Sequence, residues 1–408
     1  LKYFKNTELA KLYNISEKSV RNWIEAAQEG KLELQLYEEK GRTYVANVSR
    51  NTQIIEELAQ KGKKYRNSRG FKTICPSERF YEVFNSKQLF DIISCLSVHR
   101  ELPLKYSYVD AGASYWDKYA ERLLEEEAPS TLTNTIDLLQ LNLDTLDLLI
   151  DGHKRVNIID LGPGNGLPIK QLLAHLLKRD KLNRYVALDI SKDMLNIAER
   201  HIKEWFGGEV AFEGYIRDLE YERFDDLFAK DYVGDEANVP LNIVLFLGDT
   251  LGNLRSPNLA LQAINNSLGL NDLLVYCTKL DTPNSRRYFD FHIVPENQKL
   301  TPRHKLILDL LNIDESLYDV EQKFDEKREA RLISIRLKVA LSINFTFANS
   351  ARRVELNKGD SILLWRYWHR DAIDVIKQFD QNAFNLLHAT KSKNQEYILL
   401  VSKIKNAL

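Results

Sequence analysis

At 408 residues the chain exceeds what one hydrophobic core usually serves and suits a small and a large domain. Apolar residues make up 44% and charged residues 28%, with a formal net charge of -1, which excludes a disordered polymer and a uniformly polybasic or polyacidic chain. No apolar run approaches the roughly 20 residues of a bilayer-spanning helix and no signal-peptide core follows Leu1, so a soluble, cytoplasmic protein without a membrane partner is expected. Cys75, Cys95 and Cys277 lack the spacing of a zinc or redox motif; reduced thiols and no metal are expected.

Charge is unevenly spread. Residues 1–70 hold fourteen lysines and arginines against nine acids, a surplus of about five positive charges balanced by about six negative ones elsewhere. Thr7 is expected to cap a short helix carrying Leu9, Ala10 and Tyr13; Asn14 suits the turn, Ile15 plugs the core, and Ser16 caps a second helix with Val20, Trp23 and Ile24 inward. Ser16, Glu17, Lys18, Arg21 and Asn22 then face outward, a mixture able to meet phosphates and base edges. Leu32 to Leu36 and Thr43 to Val45 read as strands around a Glu39-Lys40-Gly41-Arg42 turn. These roughly 50 residues resemble the winged helix-turn-helix family of DNA-binding domains. The resemblance implies double-stranded DNA as a partner, Ser16, Lys18, Arg21, Asn22 and Arg42 as its contacts, and a homodimer on paired half-sites. A module for protein contacts is the alternative, since Glu17, Glu38 and Glu39 repel phosphate. A helix over Ile54 to Lys64 follows. The run Lys61, Lys63, Lys64, Arg66 and Arg69 is either a phosphate-tracking linker or a solvated charge run, closing a first domain at about residue 68.

The second domain is expected over 69–280, beginning with lead-in helices. Val156 to Asp160 is an apolar strand that runs into Leu161-Gly162-Pro163-Gly164-Asn165-Gly166 and a helix with Ile169, Leu172, Leu173 and Leu176 inward. Glycines at such a turn let the backbone approach a ligand, and the helix start offers free N–H groups to a carboxylate. Leu167 stands where the dinucleotide fingerprint wants glycine, which favours a nucleoside without a pyrophosphate. A second strand, Tyr185 to Asp189, ends in an acid about 23 residues past the loop that can accept from both hydroxyls of a ribose. Ile190, Ser191 and Met194 open the next helix near an adenine. A third strand, Val210 to Tyr215, leads to Asp218 and Leu219, where the acid either accepts from the adenine amino group or caps a helix. The fourth strand, Asn242 to Leu247, opens onto Gly248-Asp249-Thr250-Leu251-Gly252-Asn253, and a fifth, Leu273 to Thr278, precedes Lys279.

This order of strands and terminal acids is similar to that of the class I S-adenosylmethionine-dependent methyltransferases. The similarity implies an α/β fold with a Rossmann-like seven-stranded sheet and S-adenosylmethionine bound by Asp160, Gly162, Gly164, Gly166, Asp189, Ile190, Met194, Asp218, Leu219 and Gly248. Phe246-Leu247-Gly248-Asp249-Thr250-Leu251-Gly252-Asn253-Leu254 further resembles the signature of the histidine Nα-methyltransferase family of ergothioneine synthesis. Tyr108-Val109-Asp110-Ala111-Gly112-Ala113-Ser114-Tyr115-Trp116 looks like that family's lead-in segment. The resemblance implies Asn253 as the residue orienting a substrate amino group, with Asp249, Tyr108 and Tyr115 beside it.

Two departures bear on the substrate. A glutamate-rich helix, Ala120 to Pro129, replaces the family's tyrosine-rich stretch, and Ile362 to Arg370 lacks the glutamate and serine that hold an imidazole. Arg366 and Arg370 on that strand either meet an acidic group or face solvent. Residues 281–360 read as an inserted α+β substrate lobe with a helix over Pro302 to Leu311 and strands over Arg331 to Val339 and Ala340 to Phe347. Residues 361–408, with a helix over Asp371 to Phe379 and a strand over Tyr397 to Lys403, are expected to complete the sheet. The function expected is methyl transfer to a nitrogen of a small amine, amino acid or protein, in association with DNA; the alternative is a DNA-binding regulator that senses the cofactor through a retired catalytic fold.

Overall fold

The computed structural model describes residues 3–13, 15–67, 70–127, 129–232, 239–284, 300–347 and 350–405. Asn14 and Arg69 lie outside them, as do the side chains of Lys61, Lys63, Lys64 and Arg66. The chain forms two compact units, Leu1–Lys72 and Thr73–Leu408. No described helix is long and apolar enough to cross a membrane.

The first unit contains helices Asn6–Leu12 and Glu17–Gln28, a hairpin of Leu36–Glu39 with Arg42–Ala46, and helix Ser49–Asn67. Tyr3–Phe4 adds a third strand along Arg42–Ala46. Leu9, Ala10, Val20, Ile24, Leu34, Val45 and Ile55 form its core, with Ile15 at the edge. Ser16 caps the second helix through Ser19 N–H. The first helix starts earlier than expected: Lys5 is its N-cap and Thr7 is inside it, because Glu8 reaches back to the Lys5 N–H. Nor is Leu32 to Leu36 a strand. The Asn51 amide takes both the N–H and the C=O of Gln35, so ladder pairing begins only at Leu36. Lys40 and Gly41 both have positive φ, 50° and 71°, the geometry of a tight two-residue hairpin. Ser16, Lys18, Arg21, Asn22 and Arg42 are all exposed.

The second unit is built on β1 (Val156–Leu161), β2 (Leu182–Asp189), β3 (Phe212–Ile216), β4 (Leu241–Phe246), β5 (Leu273–Lys279), β6 (Phe384–Lys391) and β7 (Tyr397–Ile404). Their order is β3-β2-β1-β4-β5-β7-β6. The first five are parallel, and β7 runs antiparallel to both β5 and β6. Every residue of β1 and β4 is buried, as a strand covered on both faces requires. Ile158 packs with Leu138, Leu172 and Ile202 on one face; Ile159 packs with Leu261, Ile264 and Phe379 on the other. The sheet therefore has helices on both sides, with the loops after β1, β2 and β4 at one end of the parallel strands, the Rossmann-like arrangement.

A separate apolar cluster forms the lobe. It joins helix Pro302–Leu310, strands Tyr318–Asp325, Ala330–Leu337 and Ser361–Trp368, and the hairpin Ala340–Phe347 with Ser350–Leu356 to residues well upstream, including Phe80, Phe84, Ile92, Leu96 and Tyr106. Ser361–Trp368, expected to complete the main sheet, instead pairs with Ala330–Leu337, because its Ile362 and Leu364 face the lobe core.

Candidate active site

The loop after β1 turns on Gly162, Gly164 and Gly166, whose φ values of 74°, 57° and 78° belong to the left-handed region. A Cβ on Gly164 would lie 3.2 Å from the Trp116 indole nitrogen, and one on Gly162 would lie 3.4 Å from Thr250. Those contacts bring the lead-in helix Ala111–Glu125 and the segment after β4 up to the loop from different sides. Beneath it, Asp160 accepts from the Tyr185 hydroxyl at 3.0 Å, and burial pushes its carboxyl up to about 7. Asp189, at the end of β2, is half-buried and accepts the Ser191 N–H at 2.8 Å; burial raises it to about 6. No cation among the described residues pairs with Asp189. A half-buried carboxylate supplied only with backbone donors, beside a loop of side-chain-free backbone, fits a ligand carrying a diol and a nucleoside.

Residues 104–117 cross these loops as a strap. Lys105 reaches Asp218 after β3 at 2.7 Å and Asp91 at 3.0 Å. Burial works against the Lys105 ammonium, but the two acids outweigh it and raise its pKa. The Tyr108 carbonyl accepts from Ser191, and Asp193 accepts the Asp110 N–H, so the loop after β2 is tied as well. Asp117 accepts from Asn165 of the glycine loop and from Arg200, both at 2.9 Å. With Glu121 and His201, Asp117 forms the one group of potential metal ligands among the described residues. Two of its members already brace the loop, since the His201 ring also bonds the Asn165 carbonyl. Asp218 thus already holds the Lys105 ammonium and the Glu220 N–H. Leu219 lies against Gly162, the Ile190 carbonyl accepts from Gln88, and Met194 packs with Ala113, Tyr108 and Trp116.

After β4, Gly248 has a φ of 69° and Asp249 accepts from the hydroxyls of Thr131 at 2.8 Å and Tyr367 at 3.1 Å. Burial raises the Asp249 carboxyl, opposed by these hydroxyls and by Lys279. Asn253 Oδ1 accepts from the Trp365 indole at 2.9 Å, and Trp365 stacks against Tyr367. Gly252 is required where it stands, because a Cβ would be 2.6 Å from the Tyr367 ring. Tyr108 is half-buried near these groups; burial raises its phenol, Arg303 pulls it down, and Asp189 and Asp249 push it up. Tyr115 does not join them. It stacks with Tyr119, because its neighbour Trp116 takes the loop-facing side of the helix and successive helical residues point about 100° apart. Arg366 is neither solvent-facing nor free for a ligand: it is paired with Glu101, both nearly buried, where the upstream part of the lobe covers its strand. Arg370 lies beside Glu329 and over Trp368. Thr131, Arg303, Trp365 and Tyr367 join the site from elements that carry no local motif.

The sheet order, the glycine loop after β1 and the acid after β2 define a Rossmann-like, nucleoside-binding methyltransferase. A family model described as histidine-specific methyltransferase, SAM-dependent, matches residues 88–403, and the chain belongs to that family. Its cofactor is S-adenosylmethionine. No curated protein matches the sequence. Solved structures similar in part include an S-adenosylmethionine-dependent methyltransferase from Clostridium acetobutylicum, 12% identical, covering 71% of this chain and 99% of its own, with a TM-score of 0.36. A magnesium protoporphyrin IX methyltransferase from Synechocystis with bound S-adenosylhomocysteine is 10% identical, covers 78% and 100%, and has a TM-score of 0.37. At those values the membership rests on the family model.

Proposed function

We propose that the chain transfers a methyl group from S-adenosylmethionine to the nitrogen of a small amine or amino acid. The observation that carries this is the segment after β4, where Asp249 and Asn253 flank Thr250, which itself packs on the glycine loop. The cofactor supplies a methyl group on a sulfonium, open to in-line displacement by a neutral amine. Asp249, its carboxyl raised by burial, accepts an N–H of that amine and can take its proton, while Asn253 fixes the direction of the lone pair. Asp189 receives the ribose hydroxyls, the glycine loop admits the nucleoside, and the strap excludes water so that the two reactants are held in contact. Trp365 and Tyr367 occupy the strand on which the family's imidazole ligands are expected, and their indole N–H and phenol O–H are already given to Asn253 and Asp249, so they do not supply the carboxylate and hydroxyl of that pattern. Histidine is therefore one acceptor to test among several.

Calorimetry with S-adenosylhomocysteine on wild type and Asp189→Ala tests the cofactor site; micromolar binding lost in the variant is expected. Transfer of a labelled methyl group to a panel of amines, amino acids and peptides then tests the reaction. Binding without transfer to any of them would instead favour a retired site that senses the cofactor. For the first unit we read a winged helix-turn-helix, supported by the succession of two helices and a tight hairpin with Lys18, Arg21, Asn22 and Arg42 exposed. Salt-dependent binding of the full chain to duplex DNA is expected; its absence would leave a protein-contact module.

A further inference from the structure

Arg303 stands in the first turn of helix Pro302–Leu310, which packs against the lead-in helix at Gly112. Its guanidinium lies over the faces of Tyr108 and Trp116, 5.1 and 5.4 Å from the ring centroids. Nη1 donates to the Tyr108 hydroxyl at 2.8 Å and Nη2 faces His304 Nε2 at 3.4 Å, while Nε is buried with no acceptor. The His304 imidazole is held down to about 3 by burial and by the Arg303 charge, so a neutral ring, not a second cation, stands beside the guanidinium. No carboxylate among the described residues pairs with Arg303. Arg184, which is buried, and Arg366, which is nearly so, each rest on acids: Glu213 and Asp231 for the first, Glu101 for the second. A planar fork of five donors held by two aromatic faces, with one good acceptor, is a receptor for a carboxylate that the described residues do not provide.

We propose that Arg303 is the carboxylate receptor of this active site, taking the α-carboxylate of an amino-acid ligand. Both the methionyl part of the cofactor and an amino-acid acceptor carry that group. Trp116 connects the guanidinium to the glycine loop, and Tyr108 connects it to the region of Asp189 and Asp249, so either source lies within the same enclosure. The assignment rests on the methyltransferase reading and adds a preference for amino acids over plain amines.

The test uses the full-length protein, Arg303→Gln and Arg303→Lys, and two pairs of probes that differ in the carboxylate. The first pair is S-adenosylhomocysteine against 5′-methylthioadenosine. The second is L-histidine against histamine, each titrated into protein saturated with S-adenosylhomocysteine. Arg303→Gln should lose about 10- to 100-fold in affinity for the carboxylate-bearing member of at least one pair and little for its partner. Arg303→Lys, which keeps the charge and loses the fork, should recover part of that loss. Selective loss in the first pair assigns the receptor to the cofactor, and in the second to the acceptor. Equal losses within both pairs would reveal packing alone and overturn the proposal, as would unchanged affinities throughout. If the wild type bound neither nucleoside, the methyltransferase reading itself would fail, an outcome visible before any variant is made.

Discussion

Asp189 carries a cost that the ribose we propose for it would relieve. Its carboxyl is raised by burial to about 6 from a usual value near 4, so in the free protein the acid form persists up to about pH 6. A raised carboxyl contributes stability that is full below the unfolded pKa and is lost as pH rises through about 6. Asp189→Asn, neutral at every pH, should therefore gain on the wild type as pH rises from 5 to 8, by about 1–3 kcal/mol of ligand-free stability, while binding S-adenosylhomocysteine poorly. Thermal unfolding of both proteins at the two pH values checks this, and parallel curves would show that the carboxylate is solvated. In the wild type the same titration predicts weaker cofactor binding below about pH 6, where a protonated Asp189 no longer accepts from both hydroxyls. Residues of this kind were legible in the sequence because each follows a strand at a fixed offset. Arg303 was not, and Tyr367 was noticed only as part of the strand Ile362 to Arg370 with no role of its own: they meet Tyr108 and Asp249 across 195 and 118 positions of chain.

Among the elements, the strap depends on one close approach. A Cβ at Gly112, in the first turn of its helix, would stand 2.0 Å from the Ser107 carbonyl oxygen and 3.1 Å from Leu306, and a backbone carbonyl cannot swing aside as a side chain can. Gly112→Ala should cost more than about 2 kcal/mol of stability and loosen the lobe helix that carries Arg303. Unfolding by denaturant measures it, and a loss under half of that would mean the strap yields easily. At Gly252 the obstacle is the Tyr367 ring, so Gly252→Ala should displace the hydroxyl from Asp249 and lower turnover more than melting temperature. The buried strands were readable from their apolar runs. β6 was not anticipated, because an edge strand of Asn385, His388, Thr390 and Lys391 has the composition of a loop. The strand Ser361–Trp368 was seen but given to the wrong sheet, since alternation fixes which side is inward and not which partner waits there.

At the scale of the molecule, the Rossmann-like sheet has an apolar cluster on each face, the lobe has one of its own, and the lobe draws on chain from both before and after the first five strands. Val401, fully buried in β7, sits where a charge cannot be solvated, and Val401→Asp should leave little folded protein, as judged by yield and by loss of the unfolding transition. β7 also lies between β5 and β6 although it follows both in sequence. Until it is synthesised, the ladder groups of β5 have no partner on that side, and they form an open edge flanked by apolar residues. The period of greatest exposure to mispairing is thus set by translation: a ribosome that slows within the lobe prolongs it, and occupancy by a chaperone should concentrate on nascent chains that have passed β5 but not yet released Tyr397–Ile404.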